Sequence, residues 1–329
     1  MKDNILIRVD DLKVHFKIRR ASIFGPRPTL YAVDGVSFDI SRGQALGLVG
    51  ESGCGKSTTG LALLRLVEPT NGKVIFDGID LLSLESESLR AMRRRMQIIF
   101  QDPYSSLNPR QTAGNIVRDP LDIQGVGSPC ERETRVSELF SLVGLGERQK
   151  ALFPHQFSGG QRQRICIARA LALNPDFIVC DEPVSALDVS IQAQILNLLM
   201  DLQDEMGLTY IFITHDLSVV KHISDDIMVM YLGKCIEKAP SKEMFINPVH
   251  PYTKALLAAI PIPDISSRTT KMEIVRGELT SPIDPEPGCR FAPRCPYSQP
   301  SCSGQELELH EISPNHFVAC PVMEKMLPK

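Results

Sequence analysis

Eight residues constrain this chain more than any others: Gly50-Glu51-Ser52-Gly53-Cys54-Gly55-Lys56-Ser57. They match the pattern G-x-x-x-x-G-K-[ST] at every fixed position. The run follows ALGLV, a short and wholly apolar strand, and precedes KSTTGLALLRLV, whose spacing predicts a helix closed by Pro69, Asn71 and Gly72. Glycines let the backbone wind closely around phosphate oxygens, so that successive N–H groups point inward and the helix N-terminus adds its positive dipole. Lys56 is then placed to reach the β- and γ-phosphates, and Ser57 to hold Mg2+. A chance glycine-rich turn would not need a strand and a helix in register on either side.

The rest of the chain extends that unit. Strand-like ILIRVDDLKVHFKI and YAVDGVSFDI come before it, KVIFDG and MQIIFQ after it, with the helix-like SESLRAMRRR between the last two. Further on come a helix (GGQRQRICIARALAL), an apolar strand (DFIVCD), a helix (IQAQILNLLMDLQDEM), another strand (TYIFITHD) and the strand-like DIMVMYLGKCIEK. Strands alternating with helices predict an α/β fold with a largely parallel, mixed sheet. A helical subdomain is expected at about 102–165, inside a nucleotide-binding domain spanning 1–260. After Pro261 the chain grows rich in Pro, Ser and Cys and loses its periodicity, so 261–329 reads as a small cysteine-rich extension.

Composition narrows the class. A net charge of −3 argues against a general nucleic-acid binder. The basic run Arg93-Arg94-Arg95 reads as a solvated helix face. No apolar run reaches the 18 or so residues that a membrane span needs, and MKDNILIRVDDLKVHF lacks a secretory apolar core. The expected compartment is therefore the cytoplasm, where clustered cysteines read as metal ligands before disulfides.

Downstream of the phosphate loop, Phe177-Ile-Val-Cys-Asp181-Glu182 is an apolar strand ending in two carboxylates. An acid at a buried strand's end suits Mg2+, and the next one, Glu182, suits polarising an attacking water. Ser158-Gly159-Gly160-Gln161 opens a helix, and such a start offers N–H groups and a hydroxyl as a second phosphate grip. One chain has little use for two grips on one nucleotide, whereas two chains facing each other do.

With SGGQ in place the sequence resembles the ATP-binding subunits of ABC transporters, over roughly residues 5 to 260. That resemblance implies roles for further residues. Gln101 in IIFQDPYSSLNP corresponds to the Q-loop glutamine, which senses Mg2+ and the attacking water. Ser185-Ala186-Leu187-Asp188 corresponds to the D-loop at a dimer interface, and His215 in FITHD to the switch histidine at the γ-phosphate. Tyr31 lies 25 residues before Lys56, where the family stacks an aromatic on adenine; it also fits plain core packing. The implied ATP site comprises Tyr31, the loop from Gly50 to Ser57 with Thr58, Gln101, Ser158, Gly160, Gln161, Asp181 and Asp188. Glu182, His215, Gln101 and Lys56 would carry the catalysis, and Ser57, Gln101 and Asp181 the Mg2+.

Within that family, FQDPYSSLNPR, PHQFSGGQRQR and NPVHPYTKALLAAIP resemble the ATPases of oligopeptide and dipeptide permeases, and the stretch from Lys17 to SLNPR resembles their F-type subunit. Such a chain would sit on the cytoplasmic face of the membrane. It would pair with a second ATPase and two integral membrane subunits, and an extracytoplasmic peptide-binding protein would feed them. Relatives import nickel or other small solutes instead. Two other classes remain. One is a non-transport ABC ATPase, whose translation members usually carry two ATPase halves and repair members long coiled coils that this chain lacks. The other is an iron–sulfur or zinc regulatory module such as a redox sensor, a role that the intact hydrolytic set makes secondary.

The tail holds Cys289, Cys295, Cys302 and Cys320, spaced C-x5-C-x6-C-x17-C. Zinc sites usually show two CxxC knuckles, and ferredoxin runs are tighter than this. Some peptide-permease ATPases carry an iron–sulfur cluster on such an extension, which implies a [4Fe–4S] cluster on these four thiols. A zinc site and plain reduced thiols are the other two readings.

Overall fold

A computed structural model describes residues 4–18, 27–260 and 281–323. Its contacts divide the chain into two compact units. Of the described residues, one takes those up to Leu6, Ile40–Gln44 and Ser83–Ile213; the other takes those within Ile7–Asp39, Ala45–Leu82 and from Thr214 on.

The second unit, which carries the phosphate loop, contains a four-stranded sheet. Its order is Thr29–Ser41, Ile5–Lys17, Asn71–Phe76, Ile79–Asp80, with Ile7 facing Phe76 and Val9 facing Val74. A second set of strands runs His310–Ser313, His316–Val318, Lys234–Pro240, Asp226–Tyr231, Ala45–Val49. Ala45–Val49 lies parallel to Asp226–Tyr231, with Val49 opposite Val229. All five of its residues are buried, which is why ALGLV reads as a continuous apolar run instead of an alternation.

Two features of this unit escape the sequence reading. DIMVMYLGKCIEK, one strand by its pattern, is a hairpin of Asp226–Tyr231 and Lys234–Pro240. The turn comes at Leu232 and Gly233, which both take positive φ (43° and 83°), the combination a tight two-residue hairpin requires. The described part of the tail adds His316–Val318 beside Lys234–Pro240, with Glu237 opposite Val318. Glu237 is wholly buried there and accepts from Val249 N–H at 2.8 Å, His250 N–H at 2.9 Å and His316 Nε2 at 2.8 Å. A carboxylate taken out of water is tolerated only with partners of this kind. This one ties the hairpin, the start of the helix Pro251–Ala258 and the tail strand together.

The first unit holds three parallel strands: Met96–Ile99, Phe177–Asp181 and Thr209–Thr214. Ile99 lies opposite Cys180, and Asp181 opposite Ile213. Its helices include Ala113–Gln124, Pro129–Leu142, Gly159–Leu171 and Val189–Met206. Ser128 and Glu131 cap Pro129–Leu142 reciprocally, each satisfying a backbone N–H that the helix cannot. The predicted helix over SESLRAMRRR is shorter, Ser86–Met92; of the arginines after it, Arg94 is exposed and Arg93 and Arg95 are half-buried. Arg94 donates to the Gln124 side chain at 3.0 Å, and Arg95 pairs with Asp176 at 2.5 Å.

Candidate functional site

In the second unit the buried strand Ala45–Val49 delivers the chain into the loop, and the helix Lys56–Leu63 receives it. Gly50 and Gly55 adopt φ of +153° and +105°. A Cβ at Gly55 would stand 2.0 Å from the Ala32 carbonyl oxygen, and one at Gly50 2.3 Å from that of Met230. Real Cβ atoms do not come so close to backbone, so the glycines are demanded by close approach as well as by φ. Lys56 is only 5% exposed, and its ammonium donates to the carbonyls of Gly50 at 2.8 Å and Glu51 at 2.9 Å. This closes the loop into a ring around a fixed positive charge, the arrangement that cradles phosphate. Cys54 turns its side chain inward, where burial raises the thiol despite the nearby Lys56, so only its backbone can face a nucleotide. Ser52, Gly53 and Ser57 are exposed and Thr58 half-buried.

Tyr31 is half-buried, with its ring 4.2 Å from that of His15 and with the Arg290 guanidinium 5.9 Å from its centre. Beneath it Asp34 is paired with His15, Lys234 and Arg290. Burial alone would raise the Asp34 carboxyl, but the charges of Lys234 and Arg290 outweigh it and hold the group low. His215 is exposed, directly beyond the strand Thr209–Thr214 and just before the helix that Asp216 caps.

In the first unit Asp181 ends the strand Phe177–Asp181, and Glu182 follows with φ of +46°. A non-glycine residue there carries strain of order 1–3 kcal/mol, a cost usually tolerated at functional positions. Glu182 is held by its own N–H, which donates to the Ile213 carbonyl at 2.9 Å, and by Gln101, whose amide donates to its carboxylate at 2.8 Å. The Gln101–Glu182 pairing joins two residues 81 positions apart that the sequence reading placed in one reaction. At the signature, Ser158 Oγ accepts from Gln161 N–H at 3.3 Å while the Gln161 side chain accepts from Ser158 N–H at 3.1 Å. The Ser158 oxygen thus caps its own helix, and what it can still offer a phosphate is its O–H as donor. A Cβ on Gly160 would meet Ile191 at 2.5 Å, so the helix start packs tightly on Val189–Met206, which follows Asp188.

Mg2+ fits the donor chemistry of Ser57, Asp181 and Gln101. It takes few protein ligands and completes its shell with phosphate oxygens and water. The geometry does not support the metal centre expected on Cys289, Cys295, Cys302 and Cys320. Among the described residues no group of three or more His, Cys, Asp or Glu side chains is placed to hold a metal ion. Cys302 and Cys320 are buried with Val249, Val318, Val322 and Met323; Cys289 packs against that group and, with Cys295, against the cluster containing Tyr231, Tyr252 and Phe291. Burial pushes the Cys289 thiol up to about 11, with repulsion from the other three cysteines adding to it, and Cys295 is raised for the same reason.

Residues that the sequence reading passed over stand closest to the loop. Arg294 pairs through both terminal nitrogens with the two carboxylate oxygens of Glu51, at 2.9 and 3.1 Å, and Tyr252 OH accepts from Glu51 N–H at 2.8 Å. No local pattern marks them, because they lie more than 200 positions away in the chain.

Phosphate loop, paired Gln101 and Glu182, and capped SGGQ helix together define an ATP-hydrolysing cassette, and comparison with known proteins agrees. Residues 33–185 match the family described as "ABC transporter", and residues 236–302 match "Oligopeptide/dipeptide transporter, C-terminal region". A putative peptide import ATP-binding protein of Brucella ovis is 51% identical over 97% of this chain and 98% of its own length. The oligopeptide transport ATP-binding protein AppF of Bacillus subtilis is 50% identical over 96% of each. The dipeptide transport ATP-binding protein DppF of Haemophilus influenzae is 48% identical over 97% and 98%. Among solved structures, the ATP-binding cassette MJ0796 in a dimeric post-hydrolysis state bound to ADP and Pi superposes with a TM-score of 0.64. It is 32% identical, covering 71% of this chain and 98% of that one. The chain belongs to the ATP-binding proteins of ABC transporters, in their oligopeptide/dipeptide group, and it is an ATPase. Among the described residues no helix is long and apolar enough to cross a membrane.

Proposed function

We propose that this chain energises the import of di- and oligopeptides through a membrane transporter. What carries the reading is full-length similarity at 48–51% identity to proteins named for peptide import, together with the C-terminal match at residues 236–302. In this reading two ATPase subunits, this one and a second of the same family, close on ATP and open after hydrolysis. Two integral membrane subunits convert that cycle into transport on the cytoplasmic face, and an extracytoplasmic binding protein supplies the peptide.

Each part has a task that its geometry suits. The loop amides and Lys56 bind the β- and γ-phosphates, and Tyr31 stacks on the base. The SGGQ helix of one subunit, with Ser158 O–H and Gly160, grips the γ-phosphate held by the other, and Asp188 lies at their junction. Bound Mg2+ supplies charge neutralisation of the phosphates, with Ser57, Asp181 and Gln101 as its protein donors. Glu182, positioned by Gln101, takes the proton of the attacking water, and His215 holds the γ-phosphate. The iron–sulfur cluster drawn from resemblance, like its zinc alternative, has no step in this chemistry. Iron and sulfide measured in anaerobically purified protein decide its presence.

The test is reconstitution with the membrane subunits and binding protein in vesicles. ATP hydrolysis stimulated by peptide-loaded binding protein supports the proposal. Stimulation by nickel alone, or co-purification with ribosomes or DNA in place of membrane subunits, overturns it.

A further inference from the structure

Glu51, the second residue of the phosphate loop, is held at three points. Its carbonyl accepts from Lys56 at 2.9 Å, its N–H donates to Tyr252 OH at 2.8 Å, and both of its carboxylate oxygens accept from Arg294 at 2.9 and 3.1 Å. Only the first partner belongs to the loop. Tyr252 and Arg294 belong to residues 236–302, the region matching the oligopeptide/dipeptide transporter C-terminal family. The Arg294 side chain is only 9% exposed; its guanidinium lies 5.8 Å from the ring centres of both Tyr231 and Phe291 and donates to Tyr231 OH at 3.2 Å. Tyr231, Tyr252 and Phe291 in turn pack edge-on at 4.8 to 5.4 Å, so the arginine is aimed by a rigid aromatic frame.

A carboxylate is an odd group for a loop that binds a polyanion. Left unpaired it would repel the triphosphate, and with no partner it would also leave the loop's second residue free to rotate. A buried, bidentate guanidinium removes both liabilities, because the paired oxygens carry little net field and the fork fixes one orientation. We propose that Arg294 is a positioning residue of the ATP site, through which the C-terminal extension neutralises Glu51 and sets the phosphate loop for nucleotide. The extension is then part of the motor's nucleotide grip in this chain, although the local motif gives no sign of it. The inference rests on the loop binding ATP.

The experiment measures Mg-ATP affinity of the full-length chain by titration calorimetry, for wild type, R294M, R294K, E51Q and E51Q/R294M, at low and at physiological salt. R294M keeps the stem against Tyr231 and Phe291 and removes only the charge. It is expected to bind ATP about tenfold more weakly, about 1.4 kcal/mol, with the deficit shrinking as salt rises. R294K, keeping charge without the fork, falls between the two. E51Q/R294M binds more tightly than R294M, because the unneutralised carboxylate is gone; this recovery is something that a merely structural contact would not give. Wild-type affinity in soluble, cooperatively melting R294M overturns the proposal, and so does a double variant no better than R294M. Should R294M fail to fold, R294K against E51Q/R294K supplies the same comparison. A wild-type chain that does not bind ATP would instead sink the ATPase reading itself.

Discussion

His250 gives this protein a pH dependence whose size follows from its surroundings. The side chain is 1% exposed, and its Nδ1 accepts from Tyr252 N–H at 3.1 Å, capping the helix Pro251–Ala258. Its Nε2 has no hydrogen-bond partner among the described residues. Burial pushes the imidazole down to about 4, against an opposing pull from Glu237. The unfolded chain takes up that proton near pH 6.5, whereas the folded one resists until about pH 4. Between those values the unfolded state binds more protons, so stability is fully present above pH 6.5 and drains away as the pH falls. The loss is about 1.4 kcal/mol at pH 5.5 and about 2 kcal/mol at pH 5, with a ceiling near 3 kcal/mol. His250→Asn keeps a cap acceptor for Tyr252 N–H and removes the titration. Urea unfolding followed by far-ultraviolet circular dichroism, at pH 7.5, 5.5 and 5, measures both proteins. The variant is expected to be less stable than wild type at pH 7.5, from the lost packing, and to close that gap by about 1.4 kcal/mol at pH 5.5. Parallel pH profiles for the two proteins would refute the reasoning, because the remaining titrating groups are common to both.

Other perturbations probe the site directly. Glu182→Gln keeps a side chain that can pair with Gln101 but cannot take a proton. ATP turnover is expected to fall on the order of 100-fold to 10,000-fold while ATP binding, read by titration, persists. Gly55→Ala would place a Cβ 2.0 Å from the Ala32 carbonyl at φ +105°, and it should abolish ATP binding in a chain that keeps most of its circular dichroism signal. Of the nine cysteines, Cys130 alone is exposed, whereas burial pushes Cys235 up to about 12 and raises Cys180 and Cys54. Mild alkylation of native protein at pH 8, read by peptide mass mapping, should therefore modify Cys130 first.

The sequence showed clearly wherever neighbouring residues set their own geometry. The phosphate loop could be read because its strand, glycines and helix are contiguous and each has a local physical reason. The SGGQ helix start was legible for the same reason, although the Ser158 cap on it was not. Periodicity also found the buried parallel strands, since two buried faces leave an unbroken apolar run. It misjudged DIMVMYLGKCIEK, where a hairpin turn at Leu232 and Gly233 hides in an apolar stretch without a polar turn signal. It also missed the strands His310–Ser313 and His316–Val318, which are too short to show a period.

By itself, then, the sequence determined the chemistry: a phosphate loop, a carboxylate pair at a strand's end and a signature helix, each encoded by residues close together in the chain. The tertiary structure alone decided what distant segments do to that chemistry. It brought Gln101 onto Glu182 across 81 positions and Arg294 onto Glu51 across 243. It also set the tail's thiols among apolar side chains, where the family resemblance implied a metal centre. Local conformation depends on short-range sterics and hydrogen bonding, which a motif records. Partnerships between remote side chains depend on how the sheets and aromatic clusters bring strands together, and no short motif carries that information.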